Sequence, residues 1–334
     1  MNSTLNKTKI LSTGSAFPES RVTNDDLAKS VDTNDAWVVE RTGIRARRIV
    51  NRDKGETNSE LALRASQQAL QRAGVAASEI ECILFATVSP DYVMPNTACV
   101  LQEKLGAKKA AALDISAACS GFVYGLSIAD AFIRAGQFKT ILLVGSEVLS
   151  PLVNWEDRGT CILFGDGAGV ALLGRTSADD KSGVYSTHLY ADGWLKDLFI
   201  APAGGTALPI THEILDQKLH LMQMKGREIF KVAVRMLADC AIEALEKNGF
   251  TVKDLDWMVP HQANLRIVEA VAKRLDFPME KVIMNIEEYG NTSAATVPTA
   301  FDEAVVQGKI RRGDLVLFDV FGAGLTYGSA LLRY

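Results

Sequence analysis

Two stretches of the chain follow one pattern, and that repeat limits the fold more than any single motif. Ala69-Leu70-Gln71-Arg72-Ala73-Gly74 matches Ala244-Leu245-Glu246-Lys247-Asn248-Gly249, and Ser78 to Leu84 matches Lys253 to Val259 at the same offset. Further on, Ile133-Arg134-Ala135-Gly136 answers Val305-Val306-Gln307-Gly308, and the apolar run Ile141 to Val144 answers Leu315 to Phe318. Each half reads helix, strand, helix, strand, helix, strand, which predicts a duplicated α/β unit. A chain of 334 residues can hold two such halves around a substantial core. The halves are read as residues 1–174 and 226–334, joined by a linking segment of strands and loops, 175–225, that has several Gly and Pro and no long helical period. At the offset of the Ile133 to Gly136 block Cys119 falls opposite Asn291, which predicts that both stand at the start of the same helix in their respective halves.

Charge and cysteine usage narrow the function classes. A formal net charge of −4 gives no general pull toward nucleic acid or an anionic membrane. Met1 to Ile10 is polar and lacks the apolar core of a secretory signal, and no apolar run is long enough to span a bilayer. A cytoplasmic protein is expected. The five cysteines (Cys82, Cys99, Cys119, Cys161, Cys240) are odd in number, widely spaced and without a CxxC pair, and the four histidines form no HExxH pattern. Neither a disulfide framework nor a metal site is expected.

Three short motifs carry chemistry. Cys119 lies in Asp114-Ile115-Ser116-Ala117-Ala118-Cys119-Ser120-Gly121-Phe122, between an apolar strand and a helical pattern from Phe122 to Arg134. The free N–H groups and positive end of a helix favour a thiolate there. A lone cysteine is more often a small core residue, and only its company argues otherwise. His261, in Val259-Pro260-His261-Gln262-Ala263-Asn264, follows a strand and precedes a helix from Leu265 to Leu275. Such a position faces the crevice of an open α/β sheet, and a nearby helix N-terminus favours neutral imidazole. Asn291, in Gly290-Asn291-Thr292-Ser293-Ala294, can cap the following helix and still aim its amide at a ligand. The turn Phe321-Gly322-Ala323-Gly324 offers backbone N–H groups to an oxyanion.

These motifs, in this order and together with the ending Phe321 to Tyr334, make the chain resemble the β-ketoacyl-acyl-carrier-protein synthase III family of the thiolase-like superfamily, nearly end to end. The resemblance implies two duplicated halves in a five-layered α-β-α-β-α core. It implies a homodimeric acyltransferase that starts fatty acid chains by decarboxylative Claisen condensation of a short acyl-CoA with malonyl-acyl-carrier protein. The triad would be Cys119, His261 and Asn291, with the backbone N–H groups of Cys119 and Ala323 as oxyanion hole. Coenzyme A would be held by Thr33, Trp37, Arg41, Arg158 and Asn264, with Trp37 and Arg158 sandwiching the adenine. Lys231, Arg266, Lys273 and Arg274 correspond to the face for the acidic carrier protein; Met94 (from a neighbouring subunit) and Phe321 correspond to the acyl pocket. No cofactor is implied, since the coenzyme A thioester is a substrate, and neither nucleic acid nor membrane is an implied partner.

Related activities fit less well. Thiolases use a second cysteine near the C-terminus, and none follows Cys240. Hydroxymethylglutaryl-CoA and chalcone-type synthases lack the Gly-Asn-Thr-Ser context. A synthase III-like enzyme of secondary metabolism would keep the whole triad. A non-catalytic acyl-CoA or carrier-protein binder would have no need of it.

Overall fold

A computed structural model describes residues 7–177 and 180–334. In the first half it places β1 (Thr8–Ala16), α1 (Asp35–Thr42), α2 (Asn58–Ala73), β2 (Cys82–Ala86), α3 (Thr97–Leu105), β3 (Ala111–Ile115), α4 (Gly121–Arg134), β4 (Thr140–Glu147) and β5 (Gly167–Arg175). The second half has β6 (Gly183–Ala191), α5 (Gly226–Lys247), β7 (Trp257–Pro260), α6 (Leu265–Leu275), α7 (Thr296–Val306), β8 (Leu315–Gly322) and β9 (Thr326–Arg333). Local signals set the helix ends. Thr57, Asn96 and Asn264 cap α2, α3 and α6 with their side-chain oxygens, and Gly74, Gly106 and Asp276 close them in left-handed conformation.

The first sheet has the order β1-β5-β4-β2-β3. β2 runs parallel to β3 and β4, while β5 runs antiparallel to both β4 and β1. The second sheet repeats the order as β6-β9-β8-β7, with β7 parallel to β8 and β9 antiparallel to its neighbours. Its fifth position is reduced to one parallel bridge between Met258 and Val282. β6 falls within residues 175–225, set aside from sequence as a linking segment; it is instead the edge strand of the second sheet.

Alternating side chains of each strand enter different cores, the period of two expected of a sheet covered on both faces. Cys82 and Leu84 of β2 join Phe122 and Leu126 of α4, Val297 and Phe301 of α7, and Val316 and Phe318 of β8 in the central core. Ile83 and Phe85 point the other way, onto Leu61 and Ala65 of α2 and Leu101 of α3. Leu315 and Leu317 of β8 pack on α5 and α6. The result is five layers, α-β-α-β-α, with α4 and α7 between the sheets.

The starts of α4 and α7 correct the register read from sequence. Each is preceded by a tight turn with one non-glycine residue in the left-handed region, Ala118 (φ 45°) and Ser293 (φ 52°). These two stand at the offset of the first matched blocks, so Cys119 corresponds to Ala294, not to Asn291. α4 has 14 residues and α7 has 11, and this difference of three is why Ile133 to Gly136 aligns with Val305 to Gly308 at another offset.

Candidate active site

Cys119, His261 and Asn291 are brought together from both halves. They line one cavity of about 120 Å³ with Phe164, Asn264 and Phe321. Cys119 also borders a second, wider cavity of about 420 Å³, which includes Leu149, Leu152, Met222, Ser293 and Ala323. The sulfur therefore sits at the junction of a narrow passage and a wider pocket. Gly322 permits the junction: a Cβ there would lie 2.7 Å from the Cys119 backbone nitrogen.

Burial decides the ionisation of the site. Cys119 is 4% exposed, and burial pushes its thiol up to about 12, with the Ser293 hydroxyl acting in the opposite direction and the Glu147 carboxylate adding to the rise. The thiolate expected from the helix end is thus not the resting state. His261 is lowered to about 3 by burial, so the imidazole is neutral, as expected. Its Nδ1 lies 2.7 Å from the Thr296 hydroxyl. The same hydroxyl donates to the Ser293 carbonyl at 2.9 Å, which also receives the Thr296 N–H. When the hydroxyl turns its proton to Nδ1 instead, the neutral ring carries its own proton on Nε2, the form that can donate into the cavity. Asn291 accepts the Ser293 N–H at 2.8 Å with its Oδ1, which leaves its NH2 as the end for the cavity.

The other expected positions divide. The Arg41 and Arg158 guanidinium groups lie 4.4 and 4.6 Å from the Trp37 ring centroid, so the ring is already stacked and an adenine between Trp37 and Arg158 requires Arg158 to swing away from Asp32. Thr33 keeps a buried hydroxyl without a partner. Asn264 spends its NH2 on the Arg41 carbonyl at 3.0 Å and its Oδ1 on the Arg266 N–H, tying α1 to α6. Lys231, Arg266, Lys273 and Arg274 are all exposed on α5 and α6; Arg266 pairs with Glu40 and Arg274 with Asp239. Phe321 lines the His261 side of the thiol and not the wider pocket. Met94 is 82% exposed and lines neither cavity of this chain.

Sequence reasoning passed over Glu147, Ser293 and Thr296. Glu147 had a signal: a carboxylate ending the apolar run of β4, fully buried. Among the described residues no helix is long and apolar enough to cross a membrane, and no group of three or more His, Cys, Asp or Glu is placed to hold a metal ion.

Comparison with known proteins accords with this arrangement. The family model for 3-oxoacyl-[acyl-carrier-protein] synthase III matches residues 113–193, and that for its C-terminal part matches residues 245–334. The β-ketoacyl-[acyl-carrier-protein] synthase III of Xanthomonas euvesicatoria pv. vesicatoria is 50% identical over 326 residues, 98% of each chain. The crystal structure of the corresponding synthase III from Aquifex aeolicus VF5 superposes with a TM-score of 0.90 at 46% identity, covering 98% of this chain and 100% of that one. A priming β-ketosynthase from the R1128 polyketide pathway superposes equally well, TM-score 0.90, at 34% identity, covering 98% of this chain and 96% of that one.

Proposed function

The chain belongs to the β-ketoacyl-acyl-carrier-protein synthase III family, the condensing acyltransferases that start fatty acid synthesis, and on that premise we propose that Cys119, His261 and Asn291 perform the chemistry here. The observation that carries the proposal is the convergence of all three on one cavity beside a wider apolar pocket.

A short acyl-CoA brings its pantetheine arm down the narrow passage and its acyl group into the wider pocket. The Cys119 sulfur attacks the thioester and coenzyme A leaves, giving an acyl-enzyme. Malonyl-acyl-carrier protein then occupies the passage, docked on Lys231, Arg266, Lys273 and Arg274, and loses CO2. The thioester enolate is held by the His261 Nε2–H and the Asn291 NH2, both neutral donors in a dry site. Each such donor contributes on the order of 3 kcal/mol to the barrier lowering. The enolate carbon attacks the acyl thioester, whose oxyanion faces the N–H groups of Cys119 and Ala323, and the β-ketoacyl product leaves on the carrier protein. Coenzyme A is a substrate in this scheme, and the chain's own residues supply every group it uses. Thr33, Trp37, Arg41, Arg158 and Asn264 form the entrance for its nucleotide end.

The proposal includes a cytoplasmic homodimer. In support, Tyr92, Val93 and Met94 form an exposed apolar loop tip, with Val93 100% exposed, beside an open groove of about 830 Å³ that adjoins the wider pocket at Val88 and Leu152. A second copy offers both a tip and a groove of the same shape, as a two-fold contact requires. We place residues 1–174 as the half carrying the thiol and 226–334 as the half carrying His261 and Asn291.

The test is intact-protein mass after incubation with a panel of acyl-CoAs, with Cys119→Ala as control. Labelling by a short acyl-CoA, lost in the variant and discharged by malonyl-carrier protein, is the expected result and identifies the starter. Labelling that persists in Cys119→Ala, or none in the wild type, would overturn the assignment.

A further inference from the structure

The mechanism above leaves one proton without a destination. Cys119 must lose it to attack the thioester, and in that mechanism His261 Nε2 already carries a proton and serves as a donor. A second group stands next to the thiol. Ser293 lines the wider pocket together with Cys119, its hydroxyl acts to lower the thiol, and that hydroxyl donates to the Glu147 carboxylate at 3.0 Å. Thiol, hydroxyl and carboxylate thus follow one another across the two halves.

The surroundings of Glu147 suit a group that takes up and returns a proton. It is fully buried at the end of β4. Its oxygens meet the hydroxyls of Thr87, Ser89 and Ser293 and the Val88 N–H. No cation is paired with it among the described residues. Hydroxyls can donate to a carboxylate or accept from a carboxylic acid, so the site accommodates both forms. Of the elements packed around it, β2 contributes Thr87 to Ser89 at its end, the start of α2 contributes Asn58 through Thr87, and the turn before α7 contributes Ser293. The turn before α4 contributes Cys119, the titratable group facing it. Burial lifts Glu147 to about 7, against the opposing effect of its hydrogen bonds.

We propose that Glu147, acting through the Ser293 hydroxyl, receives the Cys119 proton during acylation and returns it to the departing coenzyme A. The S–H proton passes to the Ser293 oxygen as the Ser293 proton passes to Glu147, and the sulfur forms its bond to the acyl carbon. When the carbon–sulfur bond to coenzyme A breaks, the reverse transfer delivers the proton to the leaving thiolate. Glu147 ends ionised, the enzyme ends acylated, and free coenzyme A carries the proton. Glu147 is a positioning residue for the proton and touches no substrate. The inference rests on Cys119 being the nucleophile.

The experiment compares two half-reactions in wild type, Glu147→Gln and Ser293→Ala. Pre-steady-state acylation by acetyl-CoA is followed by intact mass from pH 5.5 to 9; decarboxylation of malonyl-carrier protein, which uses His261 and Asn291, is measured alongside. Wild-type acylation should rise as Glu147 ionises near pH 7. Both variants should lose that rise and acylate about 100-fold more slowly at pH 7, the usual contribution of a positioned base, while decarboxylation persists. Ser293→Ala leaves Glu147 with its other three partners, so it reads the relay even where Glu147→Gln fails to fold. Variants that acylate at the wild-type rate with an unchanged pH profile overturn the proposal. So does parallel loss of both half-reactions, which marks a structural role. Wild-type protein that is not labelled at Cys119 refutes the nucleophile assignment instead, and the two failures are thereby distinguished.

Discussion

The two halves meet at the site in the same way twice, with different side chains. The last residue of β4, Glu147, touches the turn before α7 through Ser293. The last residue of β8, Gly322, lies against the turn before α4 at Cys119. The strands are of equal length and each turn has one non-glycine residue in the left-handed region at the same place, so the crossings are equivalent by duplication. One crossing is filled by a carboxylate and a hydroxyl. The other is emptied by a glycine, so that a substrate can reach sulfur. A duplicated scaffold gives two similar helix starts, and divergence at a few positions gives one the proposed nucleophile and the other its proposed support.

Moving the sulfur across is the severest challenge to this comparison. In Cys119→Ala carrying Ala294→Cys, the thiol occupies the equivalent position of the second turn, where Ala294 is 1% exposed and lines neither cavity. No acyl-CoA labelling is expected by intact mass, and labelling there would break the distinction between the turns. Filling the empty crossing comes next. Gly322→Ala sets a methyl against the Cys119 backbone, so it should lower unfolding free energy by about 3 kcal/mol in a denaturant titration and nearly abolish acylation.

Two further measurements sharpen the division of labour. Thr296→Val removes the hydroxyl that holds the His261 tautomer and should slow malonyl decarboxylation about 100-fold while leaving Cys119 labelling in place. Unchanged decarboxylation would mean that His261 donates without that partner. The smallest expected effect is a flat profile. Because burial holds His261 neutral down to about 3, protonation is absent on both sides of the ordinary histidine range, and decarboxylation should show no inflection between pH 5 and 8. Acylation, by contrast, should rise through that window. A decarboxylation limb near the ordinary histidine value would place His261 in contact with water.

Much of the fold was legible in the residues because its signals are local. The helices Asn58–Ala73, Thr97–Leu105 and Leu265–Leu275 end where their caps and left-handed closing residues stand. The duplication was legible because repeated helix–strand junctions keep their spacing. The motifs around Cys119, His261 and Asn291 were legible as strand-to-helix transitions lined with small residues, though their convergence was only implied by resemblance. The alignment of Cys119 with Asn291 failed because the second helix is shorter, and a sequence offset cannot say at which end the residues are missing.

What the sequence determined alone, then, is the set of elements, their twofold repetition and the residue types at each junction, since caps, turns and periodicity act within a few residues. Tertiary structure decided what depends on distant neighbours. It made Gly183–Ala191 a sheet edge, through pairing with Thr326–Arg333. It stacked both arginines on Trp37 before any adenine arrives. Above all it set the charges of the site: burial by both halves lowers His261 and raises Cys119, the latter against the thiolate that the local sequence announces. Desolvation depends on everything packed around a group, and no short stretch of chain encodes it.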